Sequence, residues 1–452
     1  MSLRIFSTLI RLLSGGGLSA ASRFIQEYPV EDVVNRARSG RYSVFPLKGV
    51  DEFGRALLGG PVYERAPLRF DILSRILLVP PLYTPHRLKK MEELMREPLF
   101  TDVKTSVRVG GFTASMPVVM ASMGSTDVFN KVSLESARAA AKAGIPMGVG
   151  ENVATVWGYG RRVKPSQPCF KERVMTYLGS CEEGFGGVVI QQSVEDAYDE
   201  LWNRVYSDPD IEPYIAEGRV GFEIKLGQGA KPGLGGETFV GREQALRLSR
   251  KYAFDSDPEK VAKPLYERHS APGTFTPDIL RSMIRLMRNN YPRARLWLKC
   301  GPFRDISDVA KLSAGEGVDA FCIDGKEGGT GLSPITALKD LGLPLLACMA
   351  RVRRNTGGSL DIVCSGRLVD GGDIVKVLAL GARAAGLGRP IVLAAYSNGE
   401  EGVLNYLESL RLEIMMLVSA LGKYDVSMVS DEDLAAVDRE LARGLGIQHI
   451  YD

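Results

Sequence analysis

Eight short apolar runs are spaced along the middle of the chain, and amphipathic stretches separate them. The runs cover residues 117–122, 146–150, 187–191, 221–226, 296–300, 320–324, 362–365 and 384–388. The stretches between them, at 134–143, 194–206, 277–290, 306–315 and 372–380, have apolar residues on one side only. Short apolar strands that end in glycine or polar residues and alternate with helices are typical of a parallel sheet. Eight such units predict an α/β fold, a (β/α)8 TIM barrel over residues 115–395.

A doubly wound open sheet is the alternative arrangement of alternating strands and helices. In such a sheet a G-x-G-x-x-G turn commonly follows an early strand, with an acidic residue about 20 positions later. No early strand of this chain is followed by that pattern, which favours the barrel.

The segments on either side of the predicted barrel differ from it in pattern. Residues 1–114 have little periodicity and many proline and glycine breaks, and a short helix is predicted only at 88–96. We therefore expect an N-terminal extension that wraps the outside or the bottom of the barrel. Residues 396–452 are expected to form C-terminal helices, with a long helix at 400–421 and then an acidic helical tail.

The composition is that of an ordinary globular protein, with 45% hydrophobic and 25% charged residues in a chain of 452. The net charge of +3 gives no strong field, so neither nucleic acid nor a membrane surface is expected as a partner. No apolar run reaches the ~18 residues of a transmembrane helix. The six cysteines never approach C-x-x-C spacing, so we expect free thiols and a reducing, cytoplasmic location.

The stretch from Gly221 to Glu237, GFEIKLGQGAKPGLGGE, begins as a strand and then breaks into a glycine-rich loop. Its first residues alternate between apolar and charged side chains, which predicts a strand with two different faces. The loop is poor in side chains, yet Lys225, Gln228 and Lys231 lie in it or beside it. Exposed backbone N–H groups and gathered positive charge suit an anionic small molecule. The alternative is a flexible hairpin whose lysines have no function.

In a barrel the functional side chains lie at the C-terminal ends of the strands, and small or polar residues occupy those positions here. The residues that end the first, third and sixth predicted strands are Ala121, Ser122, Met123, Gln191, Asp324 and Gly325. The small and polar end of the first strand suits contact with a planar ring, so we expect a ring-containing cofactor at this face.

The loops after the seventh and eighth strands carry the features of a phosphate site. The seventh strand ends in Ser365, Gly366 and Arg367, and the eighth ends in Gly388 and Arg389. Phosphate commonly binds between these two loops of a barrel, where backbone N–H groups and guanidinium groups face the anion. A generic glycine turn before a helix is the alternative, but it explains one such loop better than both.

Lys299 lies within an apolar predicted strand and has no obvious partner nearby in the sequence. Lysine is rarely buried without an anion to pair with its charge. Beside a flavin it would favour the negative charge of the reduced ring and raise its electron affinity. In the alternative, the lysine pairs with a neighbouring carboxylate, Asp324 or Glu223.

Three runs of the chain resemble the FMN-binding synthase domain of glutamate synthase. They are FEIKLGQGAKPG at 222–233, IDGKEGGTG at 323–331 and SGRLVDGGDIVK at 365–376. The resemblance covers about residues 115–395, and the first run is the most specific of the three. It implies a flavoprotein with bound FMN, in which Gly329 and Thr330 of the second run also contact the cofactor.

The resemblance also implies an oxidoreductase of nitrogen metabolism and glutamate biosynthesis. Its reaction would be hydride transfer from reduced FMN to C2 of 2-iminoglutarate, formed from 2-oxoglutarate and ammonia, to give L-glutamate. By the same resemblance, Glu151 lies near this small dicarboxylate substrate and Lys231 binds one of its carboxylates. Together with Lys299, these are the expected catalytic residues.

The chain differs from that family in features that concern ammonia and electrons. The family carries a cysteine cluster for an iron–sulfur centre after the eighth strand, whereas residues 390–421 contain no cysteine. The family's glycine loop continues with Gln and Leu-Pro-Gly, whereas this chain has Glu237, whose charge would repel a substrate carboxylate. We expect no iron–sulfur ligands in this chain, separate amidotransferase and ferredoxin-like subunits, and an oligomeric assembly.

Two other functions of the same fold are alternatives. A type 2 isopentenyl-diphosphate isomerase also has Gly-Gly-Thr after its sixth strand, as at 328–330 here, and uses reduced FMN without net redox change. The second alternative is a non-catalytic, flavin-holding electron-transfer subunit of a larger complex. An α-hydroxy-acid oxidase is disfavoured, because it needs a histidine base after a late strand and residues 324–329 contain none.

Overall fold

The structure is a computed structural model that describes residues 28–44, 72–226, 237–250, 252–269, 276–328 and 340–452. Among these residues the strands are β1 (Ile76–Leu78), β2 (Val107–Val109), β3 (Phe112–Ala114), β4 (Val118–Met123), β5 (Met147–Val149), β6 (Val188–Gln192), β7 (Val220–Leu226), β8 (Thr238–Gly241), β9 (Ala253–Phe254), β10 (Leu265–His269), β11 (Arg295–Cys300), β12 (Ala320–Asp324), β13 (Ile362–Ser365), β14 (Ala384–Leu387), β15 (Leu434–Ala436) and β16 (Gln448–His449).

The α-helices of the same residues lie between and outside these strands. They are α1 (Val30–Ser39), α2 (Pro85–Leu94), α3 (Asp127–Asn130), α4 (Ser133–Lys142), α5 (Val153–Trp157), α6 (Phe170–Leu178), α7 (Val194–Tyr198), α8 (Leu201–Tyr206), α9 (Glu212–Ala216), α10 (Arg242–Leu248), α11 (Pro277–Asn290), α12 (Ile306–Gly315), α13 (Leu345–Thr356), α14 (Gly371–Ala379), α15 (Arg389–Ala420) and α16 (Arg439–Leu445). Short 3-10 helices lie at Gly40–Val44, Leu73–Arg75, Phe100–Asp102, Lys326–Gly328, Val426–Met428 and Asp431–Asp433.

Eight parallel strands close into a barrel in the order β4, β5, β6, β7, β11, β12, β13, β14. β14 pairs with β4, where Leu387 lies opposite Met120, and this pairing closes the circle. Each of the eight apolar runs forms one of these strands, and the predicted (β/α)8 barrel is therefore confirmed. The pattern identified the strands because a strand covered on both faces must be apolar almost throughout.

Left-handed backbone angles at single residues divide two helical stretches of the chain. The stretch 194–206 forms two helices, α7 and α8, because Glu200 between them has a φ of 51°. α15 likewise consists of two helical parts, because Asn398 and Gly399 have non-helical angles, with a φ of 58° at Gly399. The second part, from residue 400 to Ala420, confirms the long helix predicted at 400–421. A left-handed residue breaks the run of helical dihedrals, and glycine tolerates it best.

The N-terminal end of the barrel is closed by the β2–β3 hairpin. The indole Nε1 of Trp297 donates a 2.9 Å hydrogen bond to the Gly110 carbonyl at the tip of this hairpin. The rings of Phe112 and Trp297 lie 5.9 Å apart between centroids. Part of the predicted N-terminal extension therefore plugs the bottom of the barrel.

The end of the chain forms more than the helices that its sequence predicts. β15 pairs with β1 in an antiparallel ladder and with β16 in a parallel one, so the tail and the extension share a small sheet. α1 packs on α15, where Arg36 and Glu413 form a 2.7 Å ion pair. The expectation of an all-helical tail is wrong here, because a strand of only three residues depends on its partner and leaves little period of its own.

Between β7 and α11 the chain forms a separate antiparallel sheet in the order β8, β10, β9. Val240, Ala245 and Tyr266 form its own small apolar cluster. None of the helices in the described ranges is long and apolar enough to cross a membrane.

Candidate active site

The predicted site residues that the structure describes all lie at the C-terminal end of the barrel, on strand ends or on the loops that follow. They are Ala121, Ser122, Met123, Glu151, Gln191, Lys225, Lys299, Asp324, Gly325, Ser365, Gly366, Arg367, Gly388 and Arg389. Lys231, Gly329 and Thr330 fall outside the described residues. This end of a parallel barrel is where active sites are found in this fold.

The polar face of β7 points into the barrel. Phe222, on the opposite face, packs against Trp202 and Tyr291 of the surrounding helical layer, with ring centroids 5.6 Å and 4.9 Å away. Because side chains alternate along a strand, Glu223 and Lys225 lie on the inner face. The alternation in the sequence therefore places charge inside the barrel and not in solvent.

Glu223 is the most deeply buried carboxylate of the site, with 2% of its surface exposed. The hydroxyl of Ser122 on β4 donates a 2.7 Å hydrogen bond to its Oε2. The amide of Gln191, its neighbour on β6, donates a second hydrogen bond of 2.5 Å to the same oxygen. The carboxylate thus links three strands, and its buried charge is compensated by donors.

Lys299 lies on the inner face of β11 and is 9% exposed. Its Nζ is 3.1 Å from Oδ2 of Asp324 on the neighbouring strand β12. Burial alone would lower the pKa of Lys299, but the carboxylates of Asp324 and Glu223 outweigh burial and raise it. The lysine therefore keeps its proton and brings a fixed positive charge to the barrel mouth.

Lys225 pairs with Glu151, which lies just after β5, in a close ion pair. Burial would raise the pKa of Glu151, but the charge of Lys225 outweighs burial and lowers it, so the carboxylate stays ionised. Lys225 lies directly opposite Lys299 in the register of β7 and β11. Two like charges side by side in a buried layer repel each other, and each is compensated by its own carboxylate.

Glycines form part of the inner surface next to these charges. A Cβ on Gly148 would lie 2.2 Å from the Ser122 hydroxyl, and one on Gly386 would lie 2.1 Å from the Ser365 hydroxyl. At Gly388, by contrast, the nearest atoms to an added Cβ belong to Met123, at 3.8 Å, and to Ala121, at 4.0 Å. A side chain at Gly148 or Gly386 would therefore clash with a serine hydroxyl, whereas a methyl group at Gly388 would make ordinary van der Waals contacts, so small side chains line the surface beside β4 and β14.

The loops predicted to hold phosphate meet at the ends of β12, β13 and β14. The Gly325 amide donates a 2.7 Å hydrogen bond to the Ser365 carbonyl. The guanidinium of Arg389 donates to the Glu327 carbonyl and lies over the ring of Tyr28, 4.6 Å from its centroid. Arg367 has a φ of 60°, a left-handed angle that bends the loop after β13. The structure thus brings together the loops that the sequence singled out separately.

Asp196 is a site-adjacent residue that the sequence analysis did not single out. Its carboxylate accepts a 2.6 Å hydrogen bond from the backbone N–H of Asn152 and a 2.7 Å hydrogen bond from the Thr155 hydroxyl. Burial raises the pKa of Asp196 to about 6. It fastens the segment that carries Glu151, and the Ser-x-x-Asp pattern from Ser193 to Asp196, a capping box, was the signal available in the sequence.

No group of three or more His, Cys, Asp and Glu residues in the part of the chain that the structure describes is arranged to hold a metal ion. The described site therefore consists of charged pairs, small residues and backbone groups.

Residues 211–397 match the family described as the conserved region in glutamate synthase. This confirms the resemblance to the FMN-binding synthase domain that the three sequence runs indicate. The matched region contains β7 and β11 to β14, and so carries both buried lysines of the barrel mouth.

Curated relatives include glutamate synthases and an isomerase. The archaeal-type glutamate synthase (NADPH) of Dehalococcoides mccartyi is 30% identical over 187 residues, 40% of this chain and 36% of the relative. The glutamate synthase large subunit-like protein of Rhizobium meliloti is 27% identical over 271 residues, 49% of this chain and 60% of the relative. The isopentenyl-diphosphate delta-isomerase of Symbiobacterium thermophilum is 35% identical over 137 residues, 27% and 37% of the two chains. The chain therefore spans less than two thirds of the length of each relative.

Solved structures of similar shape carry the same barrel. A flavocytochrome b2 mutant with benzoylformate has a TM-score of 0.53 and 17% identity, covering 83% of this chain and 78% of its own. A mandelate oxidase mutant with the monooxide FMN adduct has a TM-score of 0.50 and 18% identity, covering 79% and 87%. At these identities the likeness shows the fold alone.

Proposed function

We propose that this chain is an FMN-dependent oxidoreductase of the glutamate synthase type. The reaction we propose reduces 2-iminoglutarate, formed from 2-oxoglutarate and ammonia, to L-glutamate. The observation that carries the proposal is the charge arrangement at the barrel mouth. Lys225 and Lys299 lie opposite each other, each is paired with a carboxylate, and both lie in the region that matches glutamate synthase.

The residues of the barrel mouth fit FMN in three respects. The glycines opposite Ser122 and Ser365 leave only small side chains in this part of the surface, which suits contact with a planar ring. Lys299 stays protonated beside Asp324, and its remaining N–H groups would donate to the negatively charged ring of a reduced flavin. Arg389, which uses one guanidinium nitrogen on the Glu327 carbonyl, has further N–H donors that could bind a phosphate beside the loops after β12, β13 and β14.

The residues we assign to the cofactor divide between ring and phosphate. For the ring they are Ala121, Ser122, Met123, Gln191, Lys225, Lys299 and Asp324. For the phosphate and its neighbouring backbone they are Gly325, Gly329, Thr330, Ser365, Gly366, Arg367, Gly388 and Arg389. FMN, when bound and reduced, would supply the hydride.

The chain's own residues would bind and orient the substrate. Lys231 is the proposed partner of a substrate carboxylate, which helps to fix the position of C2. Glu151 stays ionised because Lys225 lowers its pKa, so it accepts hydrogen bonds and does not donate a proton. An ionised carboxylate beside the substrate nitrogen would favour the protonated iminium form, which accepts a hydride more readily than the neutral imine.

The proposal includes partners for steps that the described residues do not perform. We propose separate amidotransferase and ferredoxin-like subunits as sources of ammonia and electrons. The large subunit-like name of the relative from Rhizobium meliloti supports membership of a complex. In the alternative form of this proposal, the chain is a non-catalytic subunit that holds the flavin and passes electrons without binding a substrate.

An isomerase of the isopentenyl-diphosphate type is the second candidate function. Its support is the relative from Symbiobacterium thermophilum, together with the Gly-Gly-Thr sequence at 328–330. This activity needs reduced FMN but no net electron transfer, and its substrate carries a diphosphate instead of two carboxylates. Product analysis with both substrates therefore separates the two candidates.

The test is anaerobic photoreduction of the purified protein reconstituted with FMN, followed by addition of 2-oxoglutarate and ammonium. We expect the flavin to re-oxidise only when both are present, with formation of glutamate. Lys299→Met should slow this re-oxidation, whereas the matched control Lys142→Met, which removes a lysine paired with Glu400 outside the barrel, should behave as the wild type. Bound flavin that ignores both additions would overturn the proposed reaction, and failure to bind FMN would overturn the cofactor.

A further inference from the structure

Arg173, on α6, is the most deeply buried cation behind the site, with 1% of its surface exposed. It forms no ion pair with any residue that the structure describes. Its two terminal nitrogens donate to the Met123 carbonyl, at 3.2 Å, and to the side-chain oxygen of Asn130, at 2.6 Å. Its Nε is buried without a hydrogen-bond partner. A guanidinium in this state is costly, because burying a charge without a counter-ion is unfavourable.

The guanidinium of Arg173 also contacts an aromatic ring. The guanidinium lies over the ring of Phe129, 4.9 Å from its centroid. Burial lowers the pKa of Arg173 to about 9, which leaves it protonated at neutral pH. A side chain that only filled space here would be more stable as a hydrophobic residue of similar size. The presence of an arginine here is therefore best explained by the two groups that its hydrogen bonds hold in place.

One of the two hydrogen-bond acceptors of Arg173 is the carbonyl of Met123, the last residue of β4. The pairing of β4 with β5 is irregular between Met120 and Met123, so the strand end that carries Ala121 and Ser122 lacks a regular ladder. The Met123 carbonyl also accepts a 2.9 Å hydrogen bond from the Gly150 amide, next to Glu151. Arg173 thus shares its acceptor with a hydrogen bond that ties the end of β4 to the segment carrying Glu151.

The other acceptor, the side chain of Asn130, helps to hold the segment that follows β4. The Asn130 amide donates a 2.8 Å hydrogen bond to the Gln167 side chain, and the Trp157 indole donates a 2.9 Å bond to the Ser125 carbonyl. The residues between Met123 and Asn130 are therefore held from behind by side chains of a later part of the chain. Arg173 contacts both ends of that segment.

We infer that Arg173 is a positioning residue for the flavin-facing end of β4: it fixes the Met123 carbonyl and residues 124–130, and it keeps an uncompensated positive charge behind the ring site. This inference rests on the proposed function for the identity of the ring. The fixed backbone would keep Ala121, Ser122 and Met123 in one conformation before the cofactor binds. The charge would stabilise the anionic reduced form of the flavin more than the neutral oxidised form.

The test compares Arg173→Met and Arg173→Lys with Arg36→Met, which removes a guanidinium from the ion pair with Glu413 on the outer helices. Three quantities are measured: amide hydrogen exchange of residues 124–130, affinity for FMN, and the midpoint potential of bound FMN. Arg173→Met should speed exchange in that segment and weaken FMN binding, each about tenfold, as expected when a buried acceptor loses its donor. The midpoint potential should become more negative.

Arg173→Lys should keep the wild-type midpoint potential, because it keeps the charge, while losing part of the exchange protection, because it cannot reach both acceptors. Arg36→Met should lower thermal stability without changing any of the three quantities. Wild-type exchange, affinity and potential in Arg173→Met would overturn the inference, whatever its melting temperature. If the wild type binds no FMN, the proposed function fails, and hydrogen exchange alone still decides whether Arg173 holds the segment.

Discussion

The two ends of the barrel use the same strands for different purposes, and β11 makes the contrast within two residues. Trp297 and Lys299 lie on its inner face. Trp297 points to the N-terminal end, where it meets the hairpin plug, and Lys299 to the C-terminal end, where it meets Asp324. One end is closed by aromatic packing and a backbone hydrogen bond, and the other is lined by charge.

The difference shows which end stabilises the protein and which end serves a ligand. Burying a large aromatic side chain contributes several kcal/mol to folding. A buried ion pair contributes little net stability, because desolvation of both charges offsets their attraction. A layer containing Glu223, Lys225 and Lys299 is therefore a poor choice for a core and a reasonable one for a binding surface.

The largest effect is expected at the closed end. Trp297→Ala removes a buried ring and the hydrogen bond to the Gly110 carbonyl, and should lower the free energy of unfolding by about 3–5 kcal/mol. Denaturant unfolding followed by circular dichroism measures it. Below the melting transition the spectrum of bound flavin should not change. Phe239→Ala, which removes an exposed ring, is the control, and an equal loss there would contradict the assignment of stability to the plug.

At the open end, Lys299→Met should lower the rate of flavin reduction about 10²–10³-fold, because a fixed charge near the developing negative charge is lost. It should also destabilise the fold, because Asp324 is left without its partner. Stopped-flow absorbance and denaturant unfolding measure the two effects. Adding Asp324→Asn should restore stability but not rate. Recovery of both together would mean that the pair is structural only.

The Asp196 carboxylate, which holds the segment carrying Glu151, should make the stability of the protein depend on pH. Burial raises the pKa of Asp196 from 3.8 to about 6, so between these values the folded state binds more protons than the unfolded state. Stability from this group therefore decreases as the pH rises from about 4 to about 6. Asp196→Asn lacks this decrease, so from pH 4 to pH 8 its stability relative to wild type should improve by about 3 kcal/mol. A pH-independent difference would show that Asp196 titrates normally.

The smallest effect is expected at Gly388, in the surface of small residues beside β4 and β14. Gly388→Ala places a methyl group where the nearest atoms, of Met123, are 3.8 Å away, so the fold should tolerate it. Because the methyl group would occupy space that we assign to the cofactor, FMN affinity should fall about tenfold, or ~1.4 kcal/mol. Fluorescence titration measures the affinity and thermal unfolding the stability. Unchanged affinity would exclude Gly388 from the cofactor site.

Some of the site follows from local sequence, and some does not. Strand ends such as Ser365–Gly366 and Gly388–Arg389 were predictable, because a parallel barrel brings the C-terminal ends of all its strands to one side. The left-handed angle at Glu200, which divides a predicted helix, was not, because residues other than glycine seldom adopt it. Arg173 also left no signal in the sequence, because its acceptors lie 43 and 50 residues away.

The sequence by itself determined the eight strands, their order along the chain and the alternation of charged and apolar residues in β7. These are local properties, set by the spacing of side chains along a single strand. Only the tertiary structure decided that the charged face of β7 lies inside the barrel, that Lys225 pairs with Glu151, and that Asp324 and not Glu223 forms the ion pair with Lys299. Pairing depends on the register between strands that are distant in the chain, and that register is set when the barrel closes.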